Sequence, residues 1–178
     1  VMKKLLMFAV LFAVSFSLIA GESIDRCLDA APDGVVEISM VRGTVKVNGW
    51  DRPSVQVAGT LDDHTRAVVF ERDGNEVILK VKLEEGGSRG KESKLTVNIP
   101  TGSRFEASSV SADFQIAGIG GAVEIQSISG DIRLSALGSS VEVKTVSGDV
   151  SVEAAKDQIG INSVSGDISI NSDASKLE

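Results

Sequence analysis

The tripeptide Ser111-Ala112-Asp113 returns as Ser129-Gly130-Asp131, Ser147-Gly148-Asp149 and Ser165-Gly166-Asp167, every 18 residues and without insertion. Apolar residues recur twice as fast. Phe105, Phe114, Val123, Ile132, Val141, Val150, Ile159, Ile168 and Leu177 are each nine apart. Two residues later comes a second column: Ala107, Ile116, Ile125, Leu134, Val143, Val152, Ile161 and Ile170. Three further on comes a third: Val110, Ile119, Ile128, Leu137, Val146, Ala155 and Val164. The unit is apolar-x-apolar-x-x-apolar-x-x-x, and it fails only at Asp173. A fixed internal period is the signature of stacked repeats.

The apolar-x-apolar core is a short strand with alternating faces. It is rich in the branched residues that strands favour. The step from spacing two to spacing three predicts a corner that keeps the third apolar residue inward. Nine residues cannot enclose a core. Two such arms make a coil, and coils stacked about 4.8 Å apart bury one another. The expectation is therefore an all-β chain, a β-solenoid of 18-residue coils with two short strands each. The crossover rule favours right-handed winding. A meander of hairpins would not require so strict a super-period. Two known solenoid patterns fail. A hexapeptide helix would need apolar residues at Ser129 and Ser135. A calcium-binding nonapeptide needs several glycines per coil, and Asp131 directly precedes Ile132 here.

The first half reads as a worn version of the same frame. Val36, Ile38 and Val41, then Val45, Val47 and Trp50, keep the spacing. Val55 and Val57 follow with one extra residue around Pro53. Residues 67–83 read as a hairpin turning at Asp73-Gly74-Asn75-Glu76. Residues 84–93 are a polar, Gly-rich loop, and 94–105 a strand running through Pro100 into the first regular coil. The boundaries expected are a leader over 1–20, a lead-in over 21–34, an irregular β region over 35–104 and regular coils over 105–178. Residues 35–178 form one continuous domain.

The leader has Lys3 and Lys4, an apolar run from Leu5 to Ala20, then small and polar residues. That order is a secretory signal peptide, cleaved near Ala20 or Gly21. The run falls short of the roughly 20 residues a spanning helix needs, so no transmembrane segment is expected in the mature chain. Removing two lysines and no acid moves the formal charge from −7 to −9. Such a chain suits neither nucleic acid nor anionic headgroups. The lone Cys27 can make no internal disulfide and stands too far from the apolar run for lipidation. In the repeat frame Glu178 falls inside a strand with no cap after it. Further coils are expected beyond it, and an open last coil would invite edge-to-edge self-association.

Candidate chemistry is sparse. The only histidine, His64, lies in a polar stretch and reads as a solvated loop residue. One His and one Cys cannot build a zinc site, and no phosphate-binding loop is present. No catalytic residue and no cofactor is therefore expected. Asp113, Asp131, Asp149 and Asp167 form a column at coil spacing. Its favoured reading is turn chemistry: Gly130, Gly148 and Gly166 take positive φ, while Ser129, Asp131, Ser147, Asp149, Ser165 and Asp167 bond nearby backbone groups. The competing readings are a carboxylate row that collects a hard cation such as calcium and a glycosidase carboxylate pair. A uniform row lacks the two different environments the latter needs. Ser109, Ser127, Thr145 and Ser163 form a hydroxyl column, and Ser111, Ser129, Ser147 and Ser165 another. Both read as structural ladders.

The runs at 41–59 and 95–116, followed by tandem Val/Ile-Ser-Gly-Asp coils, resemble the DUF4097 family of bacterial β-strand repeat proteins, which carry an adhesin label and belong to the toast-rack group. The resemblance covers roughly residues 34–178. It implies the repeat fold and a place in the cell envelope, and it brings no catalytic residues. Ala112 departs from the usual Gly and puts the first coil's turn in doubt. The expected function is an exported, non-enzymatic scaffold that presents polar columns to a protein or glycan ligand in the periplasm or at the cell surface. The alternatives are a carbohydrate-active β-helix enzyme with its cleft in further coils, or a component of envelope-stress signalling.

Overall fold

The computed structural model describes residues 23–86 and 90–171, which hold thirteen strands and no helix. The leader over 1–20 and the frame position of Glu178 lie outside the described residues. The second half is regular. After β7 (Arg104–Ala117) come β8 (Val123–Ser129), β9 (Ile132–Leu137), β10 (Val141–Thr145), β11 (Val150–Ala155), β12 (Ile159–Ser163) and β13 (Ile168–Asn171). All pair in parallel, one coil on. Phe105, Val123, Val141 and Ile159 stand in one register column. Phe114, Ile132, Val150 and Ile168 stand in the other. A parallel register at 18 residues is a stack of coils and excludes a meander. The chain is an all-β, solenoid-like stack forming an open sheet.

The first half contains β1 (Ser23–Asp29), β2 (Val35–Trp50), β3 (Ser54–Thr60), β4 (Thr65–Asp73), β5 (Glu76–Leu83) and β6 (Lys94–Pro100). β2 obeys the repeat frame: Val36 pairs with Phe105 and Val45 with Phe114. Its other neighbour is not the next segment in sequence. β5 pairs with the first arm of β2 and β6 with the second, both parallel. The coil of residues 35–50 is thus sandwiched between a coil closed later, 76–100, and the coil of 104–117. Val55 and Val57 do not continue the frame. They belong to β3, which runs antiparallel to β6 and to β1. β4 runs antiparallel to β5 across a turn at Gly74 with φ of 58°. Antiparallel strands thus cover both arms at this end, protecting edges that would otherwise be left open. The strand expected over 94–105 is interrupted at residues 101–103, where the Ser103 N–H donates to the Pro100 carbonyl at 3.0 Å.

The core is a double file of branched side chains. Phe105 and Phe114 are completely buried, with Ile38, Val45, Ile116, Ile125, Ile132 and Val143 among their neighbours in the file. Each such side chain contributes about 1.5–3 kcal/mol by leaving water.

One expectation is corrected. The third apolar column was to point inward on both arms, and it does so only on the second. There Gly118, Ala136 and Ala154, one coil apart, take φ of 72°, 51° and 54°. This left-handed residue turns the chain and sends Ile119, Leu137 and Ala155 into the core. On the first arm the strand simply continues. Ser127 and Thr145 take the inward position and are buried, so Ile128 and Val146 point out. Val41, Val110, Ile128, Val146 and Val164 are 40, 47, 53, 49 and 79% exposed. Strand alternation has period two, and no left-handed residue precedes these positions to break it.

Candidate functional site

The repeated tripeptide sits where the first arm bends into the second. Gly130, Gly148 and Gly166 have φ of 111°, 113° and 114°. A side chain there would meet strain and also the backbone of the coil below, because the space above Gly130 O is filled by Gly148. Ala112 is tolerated because β7 runs straight through the bend. Its φ is outside the left-handed region, and it pairs with Gly43 of β2.

The aspartates do not turn their own coil. The Asp131 N–H donates to Asp113 Oδ1 at 2.9 Å, Asp149 N–H to Asp131 Oδ1 at 3.3 Å, and Asp167 N–H to Asp149 Oδ1 at 2.9 Å. Each carboxylate is a bracket to the next coil. Donation from an N–H to a charged acceptor offsets the repulsion between stacked carboxylates. The second oxygen of Asp131 takes an Arg133 guanidinium N–H at 3.1 Å. The turn itself is held by the inward hydroxyls, of which Ser127 and Thr145 are buried. Ser127 donates to the Ser129 carbonyl at 2.8 Å, Thr145 to Ser147 at 3.0 Å and Ser163 to Ser165 at 3.0 Å. Ser109 and Ser127 also bond each other at 2.9 Å. The second hydroxyl column reaches back one coil: Ser129 donates to the Val110 carbonyl at 3.3 Å.

His64 is not a simple loop residue, and the sequence held no sign of its company. Arg42 occupies the bend of β2, opposite Ser111. Its Nε donates to Asp62 Oδ2 at 2.7 Å and its Nη2 to Asp62 Oδ1 at 3.1 Å. Asp62 Oδ1 also accepts the His64 backbone N–H at 2.8 Å. The Asp62 carboxylate is completely buried. Burial alone would raise its pKa. The Arg42 fork and the His64 N–H outweigh it and leave the carboxyl below the ordinary carboxylate range. The hydrogen bond to Asp62 raises Arg42 correspondingly. The nearby Ser93 hydroxyl accepts the Asp62 N–H at 2.9 Å and is itself buried, so it is no accessible nucleophile. The cluster clamps residues 61–65 and 93 onto the β2 bend.

Among the described residues no group of three or more His, Cys, Asp or Glu side chains is placed to hold a metal ion. Cys27 is an exposed free thiol on β1. No helix among them is long and apolar enough to cross a membrane. What remains outward is pattern. The first arm shows the apolar ladder of Val41, Val110, Ile128, Val146 and Val164 beside a polar row of Ser108, Gln126, Lys144 and Asn162. An amide row crosses the other end: Asn48 donates to Asn98, Asn98 to Gln56, and Gln56 to Asp25. Counting by twos from Val141 through Thr145 would have put Val146 outside. The apolar spacing of the second arm masked that signal.

The Toastrack DUF4097 family model matches residues 35–172. Among solved structures, a candidate cell adhesion protein from Clostridium sporogenes is similar at a TM-score of 0.58 and 11% identity, covering 88% of this chain and 100% of that one. A candidate adhesin from Bacteroides fragilis is similar at 0.39 and 11% identity, covering 88% and 96%. A candidate lipid binding protein from Parabacteroides distasonis is similar at 0.31 and 14% identity, covering 90% and 98%. No curated protein matches.

Proposed function

The chain belongs to the Toastrack DUF4097 family, and from that premise we propose that it is an exported, non-enzymatic scaffold of the bacterial cell envelope, adhesin-like in that its stiff stack presents repeated surface columns to a ligand. One observation carries this reading. The repeated carboxylates and inward hydroxyls that the sequence offers are committed to holding the stack. The Asp113, Asp131 and Asp149 carboxylates accept backbone N–H groups, the inward hydroxyls hold turns, and Asp62 is locked by Arg42. What stays free is the repeated outer face, and rigid repeated faces are how solenoids bind. The apolar run at the leader supports export.

The test pairs location with activity. Expressed from its full coding sequence in a bacterium, the protein is expected in the envelope or extracellular fraction with residues 1–20 removed. Purified protein is expected to retain on isolated envelope saturably and to release no reducing ends from polysaccharide panels. A cytoplasmic, uncleaved protein would end the envelope reading. Turnover of any polysaccharide would end the non-enzymatic one.

A further inference from the structure

The apolar ladder is a departure of this surface from what the stack itself needs. Val41, Val110, Ile128, Val146 and Val164 are all at least 40% exposed and stand one coil apart. At strand spacing, five rungs cover about 19 Å. Contiguous exposed apolar surface, unlike single scattered apolar residues, marks binding sites. Threonine would serve the stack equally well, with the same branching and no apolar surface.

The strip is one side chain wide. Ser108, Gln126, Lys144 and Asn162 flank it on the strand side, and Ser129 and Ser147 follow it at the bend. At its first end it lies in a groove of about 780 Å³ whose walls include Arg66, Lys80, Lys82 and Glu85 beside Val41 and Val110. Lys80 is paired with Glu37 at 3.3 Å, and Lys144 at the far end is paired with Glu142 at 2.6 Å. Arg66 and Lys82 are exposed and have no ion-pair partner among the described residues. The strip is thus a narrow apolar line with uncommitted positive charge at one end only, on a chain of net charge −7.

These features choose among occupants. The strands beneath the strip are paired on both sides: β7 by β2 and β8, β8 by β7 and β10, β10 by β8 and β12. The unpaired edges at this arm's two ends, on β4 and β12, lie outside the strands that carry Val41, Val110 and Ile128, so a strand added there would not cover the strip. A partner helix presents an apolar stripe several side chains wide, which a single file does not match. A second copy laid parallel would set like charge against like; one laid antiparallel would make the free chain a dimer, which gel filtration of the unliganded protein would reveal and which would overturn the site. A bilayer surface would meet Glu142, Asp149 and Asp167, which are exposed on the same coils. A single acyl chain with an anionic head fits the strip: the chain lies along the ladder and the head meets Arg66 and Lys82, two cations against the one acid Glu85 in the groove wall, by charge-assisted hydrogen bonds.

We propose that the first arm carries a binding site for one long-chain anionic amphiphile of the fatty-acid type, its tail along Val41, Val110, Ile128 and Val146 and its head at Arg66 and Lys82. This deepens the scaffold reading by naming a ligand class for its outer face.

The test titrates palmitate, kept below its aggregation concentration, into the full chain by calorimetry. One-to-one saturable binding is expected, with octanoate at least tenfold weaker. Hexadecyltrimethylammonium, with the same tail and opposite charge, is expected at least tenfold weaker too. The triple variant Val110→Thr, Ile128→Thr, Val146→Thr keeps strand propensity and is expected to fold and to lose binding at least tenfold. The double variant Arg66→Gln, Lys82→Gln is expected to lose about tenfold. Absence of palmitate binding, unchanged binding in the triple variant, or equal affinity for the cationic amphiphile would each overturn the site. So would tighter association with phosphatidylglycerol vesicles than with monomeric palmitate, which would indicate a membrane surface. Should the triple variant unfold, Ile128→Thr alone, at a half-exposed position, decides the same question. Envelope fractionation fails or succeeds independently: lost envelope retention with palmitate binding intact would refute only the location.

Discussion

Asp131 and Asp149 are neighbours across a whole coil: the Asp149 backbone N–H donates to Asp131 Oδ1 at 3.3 Å, while Asp131's own N–H is taken by Asp113. The column is therefore a chain of brackets, and its value lies in an acceptor at the right height rather than in its charge. Asp131→Asn keeps an acceptor oxygen and is expected to change stability by less than about 0.5 kcal/mol. Asp131→Ala strands the Asp149 N–H and is expected to cost about 1 kcal/mol. Urea unfolding measures both. Millimolar calcium is expected to leave the melting temperature unchanged, and a rise would revive the cation row.

Gly148 stands over Gly130 at φ of 113°. Gly148→Ala puts a methyl into the carbonyl below in a conformation L residues rarely adopt. The expected loss is about 3 kcal/mol or more. At Ala112, one position in the same column, the chain is extended, and Ala112→Gly is expected to cost only about 0.5–1 kcal/mol. If the two substitutions cost the same, the column's conformational asymmetry is not what selects glycine.

Ala136 and Ala154 hold left-handed corners at φ of 51° and 54°, where the first regular coil has Gly118 at 72°. The conformation costs an L residue about 1–2 kcal/mol, while glycine costs about 0.5–1 in chain entropy. Ala136→Gly and Ala154→Gly are each expected to stabilise by about 0.5 kcal/mol. Ala136→Val, branched at a positive φ, is expected to destabilise by more than 1 kcal/mol. Thermal melts of the three variants give the ranking directly.

Arg42 neutralises a carboxylate with no exposure to water. Arg42→Met at pH 7 leaves Asp62 buried and uncompensated, at a cost of about 3 kcal/mol. The folded-state pKa of Asp62 is depressed. Its stabilisation is thus complete above the unfolded carboxylate value, about pH 4, and is lost as pH falls through the depressed value. The stability gap between wild type and Arg42→Met is expected to be full at pH 7, to begin narrowing above pH 4 because burial without Arg42 raises the Asp62 carboxyl in the variant, and to go on narrowing until pH passes the depressed wild-type value. A gap that stays constant down to pH 2 would show that the cost comes from lost packing of the Arg42 stem.

The clamp at Arg42 shows why part of the site was illegible. Arg42, Asp62, His64 and Ser93 lie in three separate stretches, and nothing in their spacing ties them together. They meet because β2 is flanked by β5 and β6, which come later in the chain. The apolar ladder was hidden differently. Val110 and Ile119 hold equivalent places in the nine-residue pattern, yet one is half exposed and the other completely buried. The pattern records hydrophobicity at each place. Direction depends on whether a left-handed residue precedes it.

By itself the sequence determined the coil length of the second half, its strands and two of its three apolar columns as core. Period-two alternation and an unbroken 18-residue return favour a parallel stack over a meander, and the stack buries Phe105 against Val123 and Phe114 against Ile132. Only the tertiary structure decided the order in which coils lie and the direction of each corner. Any coil in this frame can pair with any other, since the same branched residues face the same way in all of them. The placement of β5 and β6 beside β2 is visible only in the fold, where the Arg42–Asp62 contact accompanies it. The corner is settled by a single backbone dihedral, positive at Ala136 and extended at Ser127, which hydrophobic spacing does not encode.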